Sequence, residues 1–238
     1  MLNVHNMVKI FGERVVLDHL NVQIPSTGIT IIVGTNGCGK TTFMNIVNHL
    51  LEMDEGDVTC NSKKIGSKEF KELLFYIPSD FYLPEYLSAS EYIEFVLSRY
   101  PQADIGLVEP LLEIFDLKSV KDELLESYSF GMKKKIQIIT AIASKAPYIF
   151  ADEVFSGLDF DTVLLLQEIF DKEKENRSIV MISHDTNTLQ KFPEHIFIMT
   201  KGRLIAYQHD VLDINDLVKE MGETYDKVKK LKDYLNAY

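Results

Sequence analysis

Short apolar runs bounded by polar turn residues recur along the chain and predict its strands. Runs of about four to eight residues, rich in β-branched side chains, are typical of strands buried inside a parallel sheet. Residues 1–35 are also expected to hold short strands, with turns at 11–14 and 25–28. The runs that predict buried strands are Ile29–Val33, Leu73–Ile77, Tyr148–Ala151, Ser178–Ile182, Ile196–Met199 and Arg203–Tyr207.

Apolar residues at helical spacing predict the helices. Residues 80–143 follow a helical pattern in which strand signals fade, so we expect an all-α insert there. Further helices are expected between the runs at 148 and 178 and after Val211. A turn is predicted at 54–57, Asp-Glu-Gly-Asp. A helix reaching to about Leu51 is predicted by one apolar face, formed by Phe43, Ile46, Val47, Leu50 and Leu51.

The alternation of strands and helices indicates an α/β fold. Parallel strands need crossover connections, and helices are the usual ones, so the pattern predicts a mainly parallel sheet with helices on both faces. At 238 residues with 46% apolar side chains, the chain can form one large domain, or one domain with a subdomain.

Charge and cysteine content narrow the function classes. The net charge of −11 disfavours a nucleic-acid binder, because phosphate backbones attract positive surfaces. Two cysteines, Cys38 and Cys60, are too few for a disulfide framework and fit a reducing cytosol. No apolar run approaches the length of a membrane span, and the first residues lack a signal-peptide pattern. We therefore expect a soluble intracellular protein whose membrane role, if it has one, comes through a partner.

A phosphate-binding loop is the most specific motif in the sequence. It matches G-x-x-x-x-G-K-[ST] and lies between a predicted strand and a predicted helix, which is the context the motif requires. Glycines allow close backbone approach to phosphate, Lys40 supplies a positive charge, and the Thr41 hydroxyl is a hard oxygen ligand for Mg²⁺. Cys38 is expected to be a small filler, with a reactive thiol as the alternative. The loop comprises Gly34, Thr35, Asn36, Gly37, Cys38, Gly39, Lys40 and Thr41.

Two acidic residues end a predicted buried strand further along the chain. Asp152 is assigned to the metal ion and Glu153 to general-base catalysis or water positioning, since adjacent strand residues point in opposite directions. Two solvated acids at a strand end are the alternative. His184 ends the next core strand, where it could contact the γ-phosphate or the attacking water. A structural histidine is the alternative there.

In this order the motifs resemble those of ABC transporter ATPase subunits, over about residues 1–210. The resemblance implies a P-loop NTPase fold of the ABC ATPase type. Such a fold has a mainly parallel sheet core, an N-terminal antiparallel β part and an α-helical subdomain at about 80–145, and leaves 211–238 as a helical extension. The matching residues are the loop at 34–41 with Thr42, the strand 148–153, Ser156-Gly157-Leu158-Asp159, His184, Phe11 and Tyr128-Ser129-Phe130-Gly131-Met132.

The resemblance also implies ligands and partners. Phe11 would stack on the adenine of ATP, and Mg²⁺ would accompany the phosphates. In a head-to-tail dimer, with a second copy or a homologue, Ser129 and Gly131 would touch the γ-phosphate held by the opposite subunit, and Asp159 would lie in the loop at the interface. A separate membrane permease would dock near 81–87, which would hold the chain on the inner, cytoplasmic face of the cell membrane. Ordinary packing of a helical subdomain is the alternative for 81–87.

Two positions depart from the family pattern. Phe130 replaces a signature glycine, and Ser79-Asp80 stand where the family has a metal-contacting glutamine. Ser79 would act through water, whereas Asp80 could approach Mg²⁺. The departures favour a divergent exporter-type subunit. We expect at least two of the three lysines Lys133–Lys135 to form a solvated basic face.

Two other functions stay open at this point. One is a soluble ABC-type ATPase that acts on ribosomes, DNA or cluster assembly, which a second ATPase half or a long coiled coil would favour. The other is a P-loop kinase of a small molecule. The segment from Ser129 to Lys135 and the order of Asp152, Glu153 and His184 favour hydrolysis over transfer to an acceptor.

Overall fold

The structure is a computed structural model that describes residues 1–80, 83–207, 231 and 233–235. Its strands are β1 Leu2–Phe11, β2 Arg14–Ile24, β3 Gly28–Val33, β4 Glu55–Cys60, β5 Lys63–Lys64, β6 Leu74–Ile77, β7 Tyr148–Asp152, β8 Ser178–Ile182, β9 His195–Thr200 and β10 Arg203–Tyr207. Its α-helices are α1 Lys40–Val47, α2 Lys68–Lys71, α3 Ala89–Leu97, α4 Val108–Ile114, α5 Phe130–Ala143, α6 Phe160–Glu173 and α7 Thr186–Lys191.

The larger sheet has the strand order β10-β9-β3-β8-β7-β6. All neighbours in it run parallel except β10, which pairs antiparallel with β9 at one edge. Each of its strands coincides with a predicted apolar run to within a residue or so, which confirms the α/β prediction. The carboxyl ends of the parallel strands β3, β8, β7 and β6 meet at one edge of the sheet, and such edges carry ligand sites in open α/β folds.

The smaller sheet is antiparallel and has the order β2-β1-β4-β5. Its strand β4 begins at Glu55, so the turn predicted at 54–57 is wrong. Gly56 lies inside the strand with φ +107°, and a Cβ atom there would come within 2.5 Å of the Asn6 carbonyl oxygen. The pairing of β1 with β4 shifts register between His5 and Val8, so the glycine marks a bulge in the strand.

Helix α1 ends at Val47, although the apolar face predicted a helix to about Leu51. Phe43, Ile46 and Val47 are buried as expected. His49 has φ +56°, which no α-helix accommodates, and Leu50 is exposed. Leu50 therefore belongs to the turn after the helix.

Two apolar clusters hold the layers together, one on each face of the larger sheet. Ile32, Phe150 and Val180 pack with α1 and the smaller sheet. Alternate residues of the same strands, such as Ile31 and Ile149, pack with the helical elements on the other side. The central strands are thus buried on both faces, which accounts for their continuous apolar sequences.

The described elements between Leu83 and Ala143 are helical: α3, α4 and α5, with 3₁₀ turns at Ile105–Leu107, Lys118–Val120 and Leu125–Ser127. The subdomain boundaries at about 80 and 145 stay a prediction. The predicted helical extension at 211–238 lies outside the described residues, apart from 231 and 233–235. Within the described ranges, no helix combines the length and the apolar character needed to cross a membrane.

Candidate active site

The phosphate-binding loop connects β3 to α1. Gly39 precedes the helix with φ +112°, in the left-handed region that favours glycine. A Cβ atom on Gly34 would lie 2.5 Å from the Met199 carbonyl oxygen, so this position accepts glycine alone. The loop is therefore closely packed against its surroundings, and its helix N-terminus faces the carboxyl edge of the sheet.

Lys40 opens α1 and is almost fully buried. Its Nζ donates hydrogen bonds to the Gly34 and Thr35 carbonyl oxygens, at 2.6 and 3.0 Å. The ammonium group thus lies over the loop, where an anionic ligand held by the loop would meet it.

Thr41 links the loop to the strand that carries the acidic pair. Its Oγ1 donates a 2.9 Å hydrogen bond to Asp152 Oδ2, across the space between α1 and β7. Burial raises the pKa of Asp152, while the Thr41 hydrogen bond and the charges of Lys40 and Lys134 act in the opposite direction. A hydroxyl and a carboxylate, two hard oxygen groups, therefore meet directly beside the phosphate loop.

Glu153 lies just beyond the end of β7. Its φ of +49° is uncommon for a residue with a side chain, and its N–H donates to the Ile182 carbonyl oxygen at 3.1 Å. The prediction that strand alternation separates the two carboxylates is wrong, because Glu153 is not on the strand. A left-handed turn at Glu153 determines its direction instead.

His184 follows the end of β8, the strand between β3 and β7, and is exposed. Protein atoms still cover part of the imidazole. That partial burial and the nearby charge of Lys40 lower the pKa of His184, against the opposing effect of Glu153. The ring is therefore neutral near pH 7 and can accept or donate a single hydrogen bond at each nitrogen.

Two neighbouring clefts meet at Glu153. The first, of about 480 Å³, brings together Phe11, residues of the phosphate loop and both carboxylates. The second, of about 790 Å³, contains His184 and the segment after Glu153. The first cleft is lined by Phe11, Arg14, Val16, Asn36, Gly37, Gly39, Lys40, Thr41, Thr42, Asp152 and Glu153.

Ser129, Phe130 and Gly131 lie at the start of α5 and do not line the first cleft. Ser129 is the N-cap, and its Oγ accepts a hydrogen bond from the Met132 N–H at 3.3 Å. Ser129 and Phe130 are exposed. In this single chain, the two residues expected to touch a γ-phosphate, Ser129 and Gly131, therefore lie outside the cleft that contains Lys40.

Asp159 caps α6. Its carboxylate accepts from the Thr162 N–H at 2.9 Å and from the Thr162 hydroxyl at 2.7 Å, and Lys135 lies 3.7 Å away. The hydrogen bonds from Thr162 lower the pKa of Asp159. Within one chain this carboxylate therefore stabilises the N-terminus of α6. Its expected role at the nucleotide stays a prediction.

Ser79 and Asp80 lie beyond the carboxyl end of β6, the strand beside β7. Neither residue lines the first cleft, whereas the Asp80 charge raises the pKa of Lys134 against the effect of burial. Their expected contact with a metal ion stays a prediction.

Two cations near the site, Arg14 and Lys134, were not assigned to it from the sequence. Arg14 lines the first cleft and donates from Nη2 to the Gly37 carbonyl oxygen at 2.9 Å. Lys134 is completely buried, with Nζ 3.2 Å from the Glu153 carbonyl oxygen. Lys133 and Lys135 pair with Glu85 and Asp159. The expected solvated basic face is therefore wrong. Each of the three lysines contacts an acidic side chain or a carbonyl oxygen, and none is fully exposed.

Cys38 is half-buried beside Lys40. Burial raises the pKa of its thiol, although the Lys40 charge acts in the opposite direction. A raised pKa keeps the thiol protonated at neutral pH, so the structure favours the filler interpretation over a reactive thiol.

Comparison with known proteins places these features in context. A family model described as "ABC transporter" matches residues 17–156, more than half of the chain. The probable siderophore transport system ATP-binding protein YusV of Bacillus subtilis is 29% identical over 210 residues, which cover 82% of this chain and 76% of YusV. The petrobactin import ATP-binding protein YclP, also of Bacillus subtilis, is 27% identical, with 86% of this chain and 85% of YclP covered.

A solved structure shares the fold. The dimeric, post-hydrolysis structure of the ATP-binding cassette MJ0796 bound to ADP and Pi has a TM-score of 0.76 with this chain at 23% identity. The match covers 87% of this chain and 98% of that one. The arrangement of the larger sheet, the phosphate loop and the helices is therefore that of an ATP-binding cassette.

Proposed function

We propose, on the premise that this chain belongs to the ABC transporter family as an ATP-binding subunit with ATPase activity, that it powers a separate membrane permease. Its cleft at the carboxyl edge of the larger sheet would bind ATP, and hydrolysis there would drive the transport cycle. The cell location that goes with this role is cytoplasmic, on the inner face of the membrane, through the permease.

The hydrogen bond between Thr41 and Asp152 carries the proposal. It joins the phosphate loop to the strand that ends in the acidic pair, at 2.9 Å. One cleft of about 480 Å³ is thereby lined by residues of both elements, namely Lys40, Thr41, Asp152 and Glu153. Phe11 lies exposed on the same cleft, where its ring can cover an adenine.

The donor set fits a magnesium ion. Mg²⁺ prefers hard oxygen ligands and usually takes one or two from the protein, together with water and substrate phosphates. The Thr41 hydroxyl and the Asp152 carboxylate are two such groups, already within hydrogen-bond distance of one another. When bound, the ion would neutralise charge that develops on the β- and γ-phosphates.

Glu153 is proposed as the general base. It would accept a proton from a water molecule as the water oxygen attacks the γ-phosphorus, while the bond from phosphorus to the ADP oxygen breaks. His184 lies beyond the end of the adjacent strand β8, and its lowered pKa, caused mainly by burial, keeps it neutral. A neutral imidazole would donate one hydrogen bond to the γ-phosphate or hold the water.

The complete site is proposed to need two subunits. Ser129 and Gly131 lie at the start of α5, outside the chain's own first cleft. Helix N-termini bind anions through free N–H groups and the positive end of the dipole. A head-to-tail partner, either a second copy or a homologue, would bring that N-terminus to the γ-phosphate. ATP would then bridge the halves, and hydrolysis would release them.

The permease is proposed to dock near 81–87. Tyr86 is 77% exposed there, while Phe81 and Tyr82 lie outside the described residues. The carbonyl oxygens of Glu85 and Leu87 accept from the N–H groups of Glu126 and Leu125, at 3.0 and 2.8 Å. These bonds join the docking segment to the chain that leads into α5, so movement of one would be transmitted to the other.

The direction of transport stays a prediction. The departures at Phe130 and Ser79 favour export, whereas YclP is named for import. Uptake and efflux of candidate substrates, measured in cells that carry this chain with its permease, would separate the two directions.

Steady-state ATP hydrolysis tests the proposed function. We expect Glu153→Gln to bind ATP with an affinity within about threefold of wild type while turnover falls by about 10²-fold or more, as for loss of a general base. Glu175→Gln is the matched control, because that carboxylate is exposed and pairs with the surface residue Lys172. Unchanged turnover in Glu153→Gln would contradict the assignment.

A further inference from the structure

Lys134 is a charged residue in the interior of the protein. Its exposed fraction is 0%, whereas lysine is almost never fully buried unless it is paired. Burial lowers the pKa of its ammonium group, and the negative charges of Asp152, Glu153 and Asp80 oppose that effect. These three acids come from the ends of two neighbouring strands, β6 and β7. The lysine thus supplies a positive charge close to the acidic groups of the active site.

Lys134 also contacts the backbone of Glu153. Its Nζ donates to the Glu153 carbonyl oxygen at 3.2 Å, and the Ser156 N–H donates to the same oxygen at 3.0 Å. On the other side of the residue, the Glu153 N–H donates to the Ile182 carbonyl oxygen at 3.1 Å. Both peptide groups of Glu153 are thereby held, although its φ of +49° is uncommon for a residue with a side chain.

The start of α5 packs on the segment after Glu153 at further points. The Lys134 ammonium lies 5.5 Å from the centre of the Phe130 ring, within cation–π range. That ring covers Gly157 so closely that a Cβ atom on Gly157 would lie 2.6 Å from Phe130 Cε1. Lys135 reaches Asp159 at 3.7 Å. The helix that carries Ser129 is therefore bound to the catalytic segment of its own subunit.

We propose that Lys134 is a positioning residue for ATP hydrolysis, which holds the backbone of Glu153 in the left-handed turn and ties the start of α5 to the general base of the same subunit. The inference rests on the proposed function, because it assigns Lys134 an effect only through Glu153. A change at the start of α5, where a partner subunit would bind, would then reach the Glu153 carboxylate through one side chain.

The test compares Lys134→Met, which keeps the length of the side chain without its charge or donor, with Lys134→Gln, which keeps a donor. We expect Lys134→Met to lower kcat by about ten- to a hundredfold, as small misplacements of a catalytic group do, with KM and ATP affinity within about threefold. Lys134→Gln should recover part of the loss. Lys118→Met is the control, because Lys118 lies in an exposed pair with Glu113.

A double-mutant cycle with Glu153→Gln separates positioning from a general structural effect. If Lys134 acts through the Glu153 carboxylate, single-turnover hydrolysis in Glu153→Gln should change by less than about twofold when Lys134→Met is added. The inference would be overturned if the rate losses of Glu153→Gln and Lys134→Met multiply in the double variant. It would also be overturned if a folded Lys134→Met protein has an unchanged kcat. If Lys134→Met does not fold, as judged by its melting curve and ATP binding, the same cycle is run with Lys134→Gln.

The two proposals fail in different ways. Full turnover in Glu153→Gln would remove the proposed function, and with it the basis for a positioning role. Loss of turnover in Glu153→Gln, together with normal kcat in both Lys134 variants, would remove only the role of Lys134.

Discussion

At the scale of single residues, the site holds a carboxylate in surroundings that oppose its charge. Burial raises the pKa of Asp152 above its ordinary value of 3.8, and the Thr41 hydrogen bond and two lysine charges only partly offset this. A buried ionised carboxylate therefore costs stability, and the proposed Mg²⁺ ion would offset that cost.

Asp152→Asn should stabilise the protein in the absence of nucleotide and Mg²⁺. Because the pKa of Asp152 is raised in the folded state, ionisation of this carboxylate lowers the free energy of unfolding. The loss is absent below about pH 3.8, where Asp152 is protonated in both the folded and the unfolded state. It is complete above the pKa of the folded state. Asparagine keeps an oxygen that accepts from Thr41. We expect a higher melting temperature than wild type at pH 7.5 and a smaller difference near pH 4, with hydrolysis lost at both.

Melting curves at the two pH values check this expectation. An Asp152→Asn protein that is less stable than wild type by the same amount at pH 4 and pH 7.5 would show that ionisation of Asp152 is not the cause. Asp171→Asn is a suitable control, because that carboxylate lies on α6 in a partly exposed pair with Lys174.

At the scale of elements, the helices that follow the proposed catalytic residues Glu153 and His184 each begin with an aspartate cap. Asp159 and Asp185 cap α6 and α7 with the same pair of contacts, to the N–H and the hydroxyl of Thr162 and Thr188. A cap of this kind typically contributes about 1 kcal/mol. One of the two caps carries an expected nucleotide role and the other does not, so the pair forms a natural comparison.

Asp159→Ala should lower the free energy of unfolding by about 1 kcal/mol. Asp159→Asn should keep most of the stability that the cap contributes, because asparagine is also a favourable N-cap residue. Asp185→Ala should cost a similar amount at the other helix. If Asp159 also acts at the subunit interface, Asp159→Ala should weaken ATP-dependent dimerisation, measured by sedimentation, whereas Asp159→Asn should have a smaller effect. Equal dimerisation in all three variants would restrict Asp159 to capping.

The strands could be predicted because burial on both faces imposes continuous apolar runs, as in β7 and β8. The end of α1 could not be predicted from the sequence, because apolar residues at 50 and 51 extend the helical spacing beyond the turn at His49. The phosphate loop was predictable from its spacing. The burial of Lys134 was not predictable, because it depends on the packing of α5 on the segment after Glu153. In the sequence alone, Lys134 looks the same as its neighbours Lys133 and Lys135.

At the scale of the whole molecule, the residues proposed to form one ATP site lie on two parts of the surface. Lys40, Asp152 and Glu153 line a cleft at the edge of the sheet, while Ser129 and Gly131 lie at the start of α5. The exposed Tyr86 lies on a third segment, which is bonded through its backbone to 125–126. This layout suits a subunit that works between a second ATPase subunit and a membrane partner.

Tyr86→Ala should reduce recruitment of the chain to membranes that contain its permease, because an exposed aromatic side chain is a typical interface anchor. ATP hydrolysis by the isolated chain should stay within about twofold, as is usual for surface substitutions away from a site. Leu50→Ala, at another exposed apolar residue, is the control. Unchanged co-sedimentation of Tyr86→Ala with permease-containing membranes would remove this residue from the docking surface.

The most direct test of the account is the mass of Glu153→Gln in solution, measured by light scattering with Mg²⁺–ATP, with ADP and without nucleotide. The composite site predicts a mass that doubles only with ATP, since only the γ-phosphate bridges the phosphate loop of one subunit and the start of α5 of the other. Lys40→Ala in the same background should remain monomeric. A Glu153→Gln protein that binds ATP and never doubles, alone or mixed with a co-encoded homologue, would contradict the composite site.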